Sequence, residues 1–216
     1  MARARYRHII WDWNGTLLDD LDLSIEVMNS LLARRDLPRL DRPRYHALFD
    51  FPVRRYYERL GFDPAHDSFE QLSVEFIAGY DAQRLGASLH HHTTSTLVAV
   101  RAAGLGQSIL SAYRHETLHE IVAHFRLTAH FDHIVGLDNI HAHSKVALGR
   151  ELVARLGLAP AEILLVGDTL HDLEVARDLG VACALVAAGH HPAARLRASG
   201  APVYDDLAAF GAAQEF

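Results

Sequence analysis

The sequence predicts an α/β fold, a parallel sheet covered by helices on both faces and interrupted after its first strand by a wholly helical insertion. Three observations carry that prediction. From about residue 93 onward, short and wholly apolar runs alternate with helical periodicity. From 19 to 92 the spacing of apolar residues is helical throughout. The chain has 216 residues and is 50% hydrophobic, enough to bury the core that such a sheet requires.

The first apolar run, His8-Ile9-Ile10-Trp11, stops at Asp12-Trp13-Asn14-Gly15-Thr16, the pattern of a buried strand breaking into a glycine-containing loop. In the helical stretch Ile25, Met28, Leu31 and Leu32 share one face, and Phe69, Leu72, Phe76, Ile77 and Tyr80 share another. Gly61 and Gly86 read as helix stops, prolines at 38, 43, 52 and 64 punctuate the stretch, and no strand pattern occurs in it. Next come a helix near 94–103, a strand at 108–110, a helix near 116–124 and a strand around 133–135. A helix over 145–156, a strand at 163–166, a helix ending at 179 and a strand over 182–186 complete the alternation. Residues 1–18 and 93–216 are therefore expected to form the sheet domain, and 19–92 the inserted helical domain.

Composition narrows the function. A net charge of -6 without any sustained basic stretch argues against nucleic acid as a partner. The basic start of the chain meets only a handful of apolar residues before Asn14 and Gly15, too few for a secretion signal or a membrane span, so a cytoplasmic protein is expected. The single cysteine, Cys183, lies in the apolar run Val-Ala-Cys-Ala-Leu-Val and reads as a packed strand residue. Among 21 basic residues the only lysine is Lys145. In a chain that otherwise uses arginine, a single lysine is expected either where a compact point charge is needed or by chance survival.

In an open parallel sheet, ligands bind beyond the carboxyl ends of the strands. The first strand ends at Asp12, the second at Ser111, and the strand at 163–166 runs into Gly167-Asp168-Thr169-Leu170-His171-Asp172, while Lys145 opens a helix expected on the same edge. Carboxylates, a hydroxyl and an ammonium on one rim suit phosphoryl transfer. A hard cation, with Mg²⁺ selected by oxygen ligands, offsets repulsion between carboxylates and phosphate. The lysine and the hydroxyl hold the phosphoryl oxygens, and one carboxylate attacks phosphorus. A calcium loop is excluded, because Gly15 falls two places too early and Leu23 stands where the terminal glutamate belongs.

These motifs resemble those of the haloacid dehalogenase superfamily. Asp12-Trp13-Asn14-Gly15-Thr16-Leu17 followed by Asp19 is similar to its first motif, Ser111 to the second, Lys145 to the third, and Gly167-Asp168 through Asp172 to the fourth. The match spans the sheet domain, and the insertion stands where the family's first-type helical cap stands, as in the phosphoglycolate phosphatase and β-phosphoglucomutase branch. The resemblance implies a Rossmann-like core and a small phosphate ester as substrate, handled by a monomer or homodimer that binds neither nucleic acid nor membrane. It implies Asp12 as nucleophile, and Mg²⁺ held by Asp12, the main-chain carbonyl of Asn14 and Asp168, with Asp172 supporting the metal's water shell. Ser111 and Lys145 would bind the phosphoryl oxygens and Thr16 would steady the loop.

Position 14 departs from the pattern. Phosphatases of the family carry an aspartate there, which protonates the leaving oxygen and later activates water, whereas this chain has Asn14. A carboxamide cannot carry a proton back and forth, and general acid–base help is worth roughly 10²–10⁴-fold in rate. A histidine such as His143, His171 or His190 could take over the proton, or the substrate could be an acyl or aryl phosphate that needs little acid. Alternatively, the protein is a slow or non-hydrolytic phosphate-ester binder. The metal-free dehalogenase reaction fits poorly with Asp168 and Asp172, and a mutase would need the acid that Asn14 lacks. In the insertion, Arg54, Arg55, Tyr56 and Tyr57 form the most polar and aromatic cluster, from which Arg54 or Arg55 could read a substrate anion. The same four residues also suit an amphipathic helix with solvated arginines. The run His90-His91-His92 reads as a solvated loop.

Overall fold

The computed structural model describes residues 6–137 and 145–215 and divides into two compact units, one formed by residues through Asp19 together with those from Leu89 onward, the other by 20–88. The first unit is built on a six-stranded, wholly parallel sheet. Its strands are β1 (His8–Trp11), β4 (Gly106–Arg114), β5 (His133–Leu137), β6 (Ile163–Gly167), β7 (Ala182–Val186) and β8 (Val203–Tyr204), in the spatial order β5-β4-β1-β6-β7-β8. From β1 the chain winds outward through β4 to β5, and from β6 outward the other way through β7 to β8. The two directions diverge between β1 and β6, so their carboxyl ends flank the crevice where such sheets bind ligands.

Alternation along the strands decides which helices they meet. Ile10, Leu110, Ile163 and Leu165 pack with Leu148 and Leu152 of α7 (Lys145–Leu156) and with Val175, Ala176 and Leu179 of α8 (Leu170–Leu179). One residue along, Trp11 turns the other way. Its ring meets Phe210 of α10 (Leu207–Ala213) edge to face, with centroids 5.6 Å apart. Its indole N–H donates to Gln107 Oε1 at 3.1 Å, and the Gln107 amide donates to the Leu97 carbonyl of α5 (Thr93–Ala102) at 2.9 Å. The last strand, β8, and the short α9 (Ala193–Arg197) lie past the final predicted element; two-residue and five-residue pieces carry too little periodicity to be read.

The second unit contains α1 (Leu21–Ala33), α2 (Arg42–Leu48), α3 (Val53–Leu60) and α4 (Phe69–Gln83). Asp41 caps α2 by accepting from the Arg44 N–H at 2.8 Å, and Ser68 caps α4 by accepting from Gln71 N–H at 3.1 Å. Ile25, Met28, Leu31 and Leu32 are buried as the spacing predicts. On α4 only Leu72 and Tyr80 of the predicted face are buried, while Ile77 is 40% exposed. Gly79 explains the shift. A Cβ there would lie 3.0 Å from Val27, so α1 meets α4 through Gly79 and Tyr80, and Ile77 faces outward. Tyr80 donates to Asp20 Oδ2 at 2.7 Å. One expectation needs correction: two-residue strands β2 (Leu18–Asp19) and β3 (Ser88–Leu89) pair where the chain leaves and re-enters the sheet unit, too short for alternation to reveal. Among the described residues no helix is long and apolar enough to cross a membrane.

Candidate active site

Asp12 is the first residue past β1, and its N–H donates to Val166 O at 2.8 Å, tying it to the end of β6. Asp168 is the first residue past β6. Thr169 caps α8, and Asp172, in the first turn, returns the favour: its Oδ2 accepts from the Thr169 hydroxyl at 2.7 Å and from the Thr169 N–H at 3.0 Å. Oxygen atoms of Asp12, Asp168 and Asp172 lie within 4.8 Å of one another, and all three side chains are buried. Lys145, at the start of α7, inserts between two of them, with its ammonium on Asp12 Oδ1 and 2.6 Å from Asp172 Oδ1.

Thr16 decides the orientation of the third carboxylate. Its hydroxyl carries one hydrogen, which goes to Asp168 Oδ1 at 2.9 Å; Asp12 Oδ2 stands 3.4 Å away, at the limit of a hydrogen bond. The other oxygen of Asp168 accepts from the His190 main-chain N–H at 2.6 Å. Asp168 is thus buried at 0% exposure and hydrogen-bonded by a hydroxyl and a main-chain N–H. Gly15 and Gly189 make this approach possible. A Cβ on Gly15, whose φ of +74° already favours glycine, would collide with the Asp168 carboxylate and the His190 ring; one on Gly189 would collide with Asp168 and the Gly15 carbonyl.

The electrostatics follow from counting charges. Of the three buried carboxylates, the ammonium of Lys145 pairs with two, Asp12 and Asp172. Burial pushes Asp12 up to about 7 against the pull of Lys145, and pushes Asp168 up to about 6 against the pull of the His190 side chain. Burial acts on Asp172 too, but Lys145 and the Thr169 donors outweigh it and hold Asp172 below the usual carboxylate range. Lys145 is raised, since Asp12 and Asp172 overcome the burial that would lower it. A carboxylate pair left this far short of positive charge is what a divalent cation with oxygen ligands compensates, so the donor set fits a hard metal ion.

Ser111 lies on β4 beside β1, buried, at an irregularity in the β4–β5 register between Leu110 and Arg114; its hydroxyl accepts from Tyr113 N–H at 3.1 Å. The strand continues past Ser111 instead of ending there. Asn14 is half-buried and forms an isolated bridge with Leu18. In the helical unit Arg54 donates to Glu70 at 2.8 Å and stacks over Phe69, with 4.4 Å from its guanidinium carbon to the ring centroid; Arg55 is exposed on the same helix. Tyr56 and Tyr57 are buried against Tyr45, Phe49, Phe62 and Phe69, so α3 is amphipathic, arginines outward and tyrosines inward.

Of the histidines considered as proton carriers, His143 lies outside the described residues, and His171 sits 3.4 Å from Glu174 one turn along its own helix. His190 is buried beside Asp168. The histidine run is corrected in part. His91 and His92 are exposed, but His90 turns inward, with its Nε2 donating to Gly15 O at 3.0 Å. Gly189, the His190 N–H and His90 are the groups that sequence reasoning missed; the one available signal was their position just after β7 and just before α5. Cys183 is a strand residue whose thiol burial pushes up to about 12.

With this geometry in place, comparison with known proteins is specific. The family described as haloacid dehalogenase-like hydrolase matches residues 9–186. A 5'-nucleotidase of Pseudomonas aeruginosa is 30% identical over 203 residues, covering 91% of this chain and 90% of the relative. An N-acetylmuramic acid 6-phosphate phosphatase of Pseudomonas putida is 28% identical over 193 residues, covering 87% and 86%. In three dimensions the chain is similar to the crystal structure of a predicted phosphatase from Clostridium acetobutylicum, with a TM-score of 0.82 at 18% identity over 95% of this chain and 96% of the other. A buried aspartate cluster at the switch point of a parallel sheet, joined to a family match over most of its length, places this chain in the haloacid dehalogenase-like hydrolase family.

Proposed function

We propose that the protein is a Mg²⁺-dependent phosphatase that hydrolyses a small phosphate monoester through a phosphoryl group carried on Asp12. The observation that carries this reading is the setting of Asp12, buried at the switch point with Lys145 on one oxygen and the other only loosely approached by Thr16. That second oxygen is the one available to attack phosphorus, forming the Asp12 acyl phosphate as the P–O bond to the leaving alcohol breaks. Lys145 neutralises the Asp12 charge, and with Ser111 it binds the non-bridging phosphoryl oxygens. Water then attacks the same phosphorus, releasing phosphate and restoring the Asp12 carboxylate. Asp12, the main-chain carbonyl of Asn14 and Asp168 would hold the cation, and Asp172, whose oxygens serve Lys145 and Thr169, supports the arrangement from behind. Bound there, Mg²⁺ supplies positive charge against the phosphoryl oxygens.

In this reading the helical unit selects the substrate, with Arg55, and Arg54 if it releases Glu70, reading a second anion. The named relatives act on different phosphate esters, one a sugar phosphate and the other 5'-nucleotides, so the choice is made by each protein's own substrate pocket. A second reading is favoured by one residue. Asn14 cannot pass a proton to the leaving oxygen, so the chain would be a slow hydrolase or a phosphate-ester binding protein unless the leaving group is good.

Phosphate release from acetyl phosphate, p-nitrophenyl phosphate, a sugar 6-phosphate and a 5'-nucleotide, with and without Mg²⁺, separates these readings. Turnover that requires Mg²⁺ and favours acyl or aryl esters supports the phosphatase. If only Asn14→Asp turns over, gaining about 10²–10⁴-fold on alkyl esters, the parent is a binder.

A further inference from the structure

We propose that His90 is a positioning residue for the active site: its imidazole N–H fixes the peptide between Gly15 and Thr16, and through that peptide sets the Thr16 hydroxyl on Asp168. The proposal rests on the reading of Asp12 and Asp168 as the reactive carboxylates. It starts from a geometry that the histidine-rich sequence did not reveal. His90 Nε2 donates to Gly15 O at 3.0 Å across 75 residues of chain, its side chain is 11% exposed, and its Nδ1 lies 4.0 Å from Asp19 Oδ2. The backbone reinforces the contact: His90 N–H donates to Leu17 O at 3.0 Å, and the Thr93 hydroxyl donates to the same carbonyl at 3.0 Å.

The loop from Asp12 to Leu18 is also held from within. Leu17 and Leu18 N–H groups both reach Trp13 O at 3.0 Å, and Gly15 N–H reaches Leu18 O at 2.9 Å. The Gly15 carbonyl points the other way, toward His90. A peptide unit is planar, so fixing the Gly15 carbonyl also fixes the N–H and the Cα of Thr16. Thr16 has a single hydroxyl hydrogen to give, and a rotation of this peptide would carry it from Asp168 toward Asp12 or away from both. The His190 ring lies beside Gly15 and Gly189 lies beside its carbonyl oxygen, so these groups bound how far the peptide can turn once His90 is lost. Groups that orient the holders of a metal ion in this way change affinity or activity by about 10–100-fold when removed.

The test uses the whole chain with His90→Gln, whose amide can still donate toward Gly15 O, and His90→Phe, which fills the space without donating. Mn²⁺ binding is followed by the electron paramagnetic resonance of the free ion, and p-nitrophenyl phosphate hydrolysis is measured at saturating Mg²⁺. His90→Phe is expected to weaken Mn²⁺ binding about ten-fold and to lower kcat about ten-fold with KM within about two-fold, while His90→Gln stays within about three-fold of the parent in each. Parent-like Mn²⁺ binding by His90→Phe overturns the proposal, as does a folded His90→Gln that loses as much as His90→Phe. If His90→Phe does not fold, His90→Asn, whose amide is too short to reach Gly15 O, replaces it and carries the same expectations. A parent without turnover sinks the phosphatase reading, yet the Mn²⁺ comparison still decides the role of His90; a parent that binds no Mn²⁺ overturns both.

Discussion

Two polar clusters sit on the same sheet, one past the carboxyl ends of β1 and β6, the other beside the amino-terminal halves of β1 and β4. In the second, His8 Nε2 meets Ser108 Oγ at 2.8 Å, His8 Nδ1 lies 4.0 Å from Asp132 Oδ2, and Asp132 accepts from Arg101 at 3.0 Å and from the Gln107 N–H at 3.0 Å. A serine, a histidine and an aspartate stand in a row there, the residue types of a hydrolase triad. Ser108 nonetheless has 0% exposure, and the Asp132 charge already has its guanidinium. In the first cluster the ammonium of Lys145 pairs with only two of three carboxylates. The lesson is that the residue types are common to structure and chemistry. What separates them is an unbalanced charge that a ligand or ion must complete.

The largest expected effect breaks the charged cluster at its centre. Asp12→Asn should lower phosphate release by about 10⁴-fold or more, the scale on which a lost nucleophile is felt, without lowering the unfolding midpoint in urea. Loss of stability equal to the loss of activity would show that Asp12 is a structural carboxylate. Lys145→Met should destabilise by about 3–5 kcal/mol, because it strands buried carboxylates that the ammonium compensates, and chemical denaturation measures it directly. At the other cluster the same surgery should read as stability alone. Ser108→Ala removes the partner of His8 Nε2 and is expected to cost about 1–3 kcal/mol while turnover stays within about two-fold of the parent. A large drop in turnover with an intact fold would mean that the distinction between the clusters is wrong.

A more modest change is expected on lowering the pH at His8. Burial lowers His8 from 6.5 to about 4, against the opposing pull of Asp132 and with help from nearby His133 and Arg101. The unfolded chain therefore takes up this proton first as pH falls. The stability contributed by neutral His8 is complete above about 6.5 and drains away between about 6.5 and about 4. Urea melts across that window should show a slope that His8→Gln reduces. An unchanged slope would show that His8 is not held neutral in the folded protein.

Most of the sheet was legible because its strands are short, apolar and bounded by polar residues, signals that a local window contains. The same holds for Asp12 and Asp168, which stand one residue beyond β1 and β6, while Asp172 was reached through the motif that it shares with Asp168. Ile77 was misread because a helix face is chosen by its neighbour, and Gly79 lets α1 approach one position away from the apolar stripe. His90 was misread because three adjacent histidines look alike in sequence, and only packing turned one of them inward.

Sequence by itself determined the order of the elements, the chemistry available at the strand ends and the absence of a carboxylate at position 14, since each depends on residue type and short-range spacing. Tertiary structure decided how the charges are shared: Lys145 on Asp12 and Asp172, Thr16 and the His190 N–H on Asp168, and His90 on the Gly15 carbonyl. Those pairings join segments up to 152 residues apart, and a hydrogen bond is chosen by distance and direction in space, which no local pattern encodes.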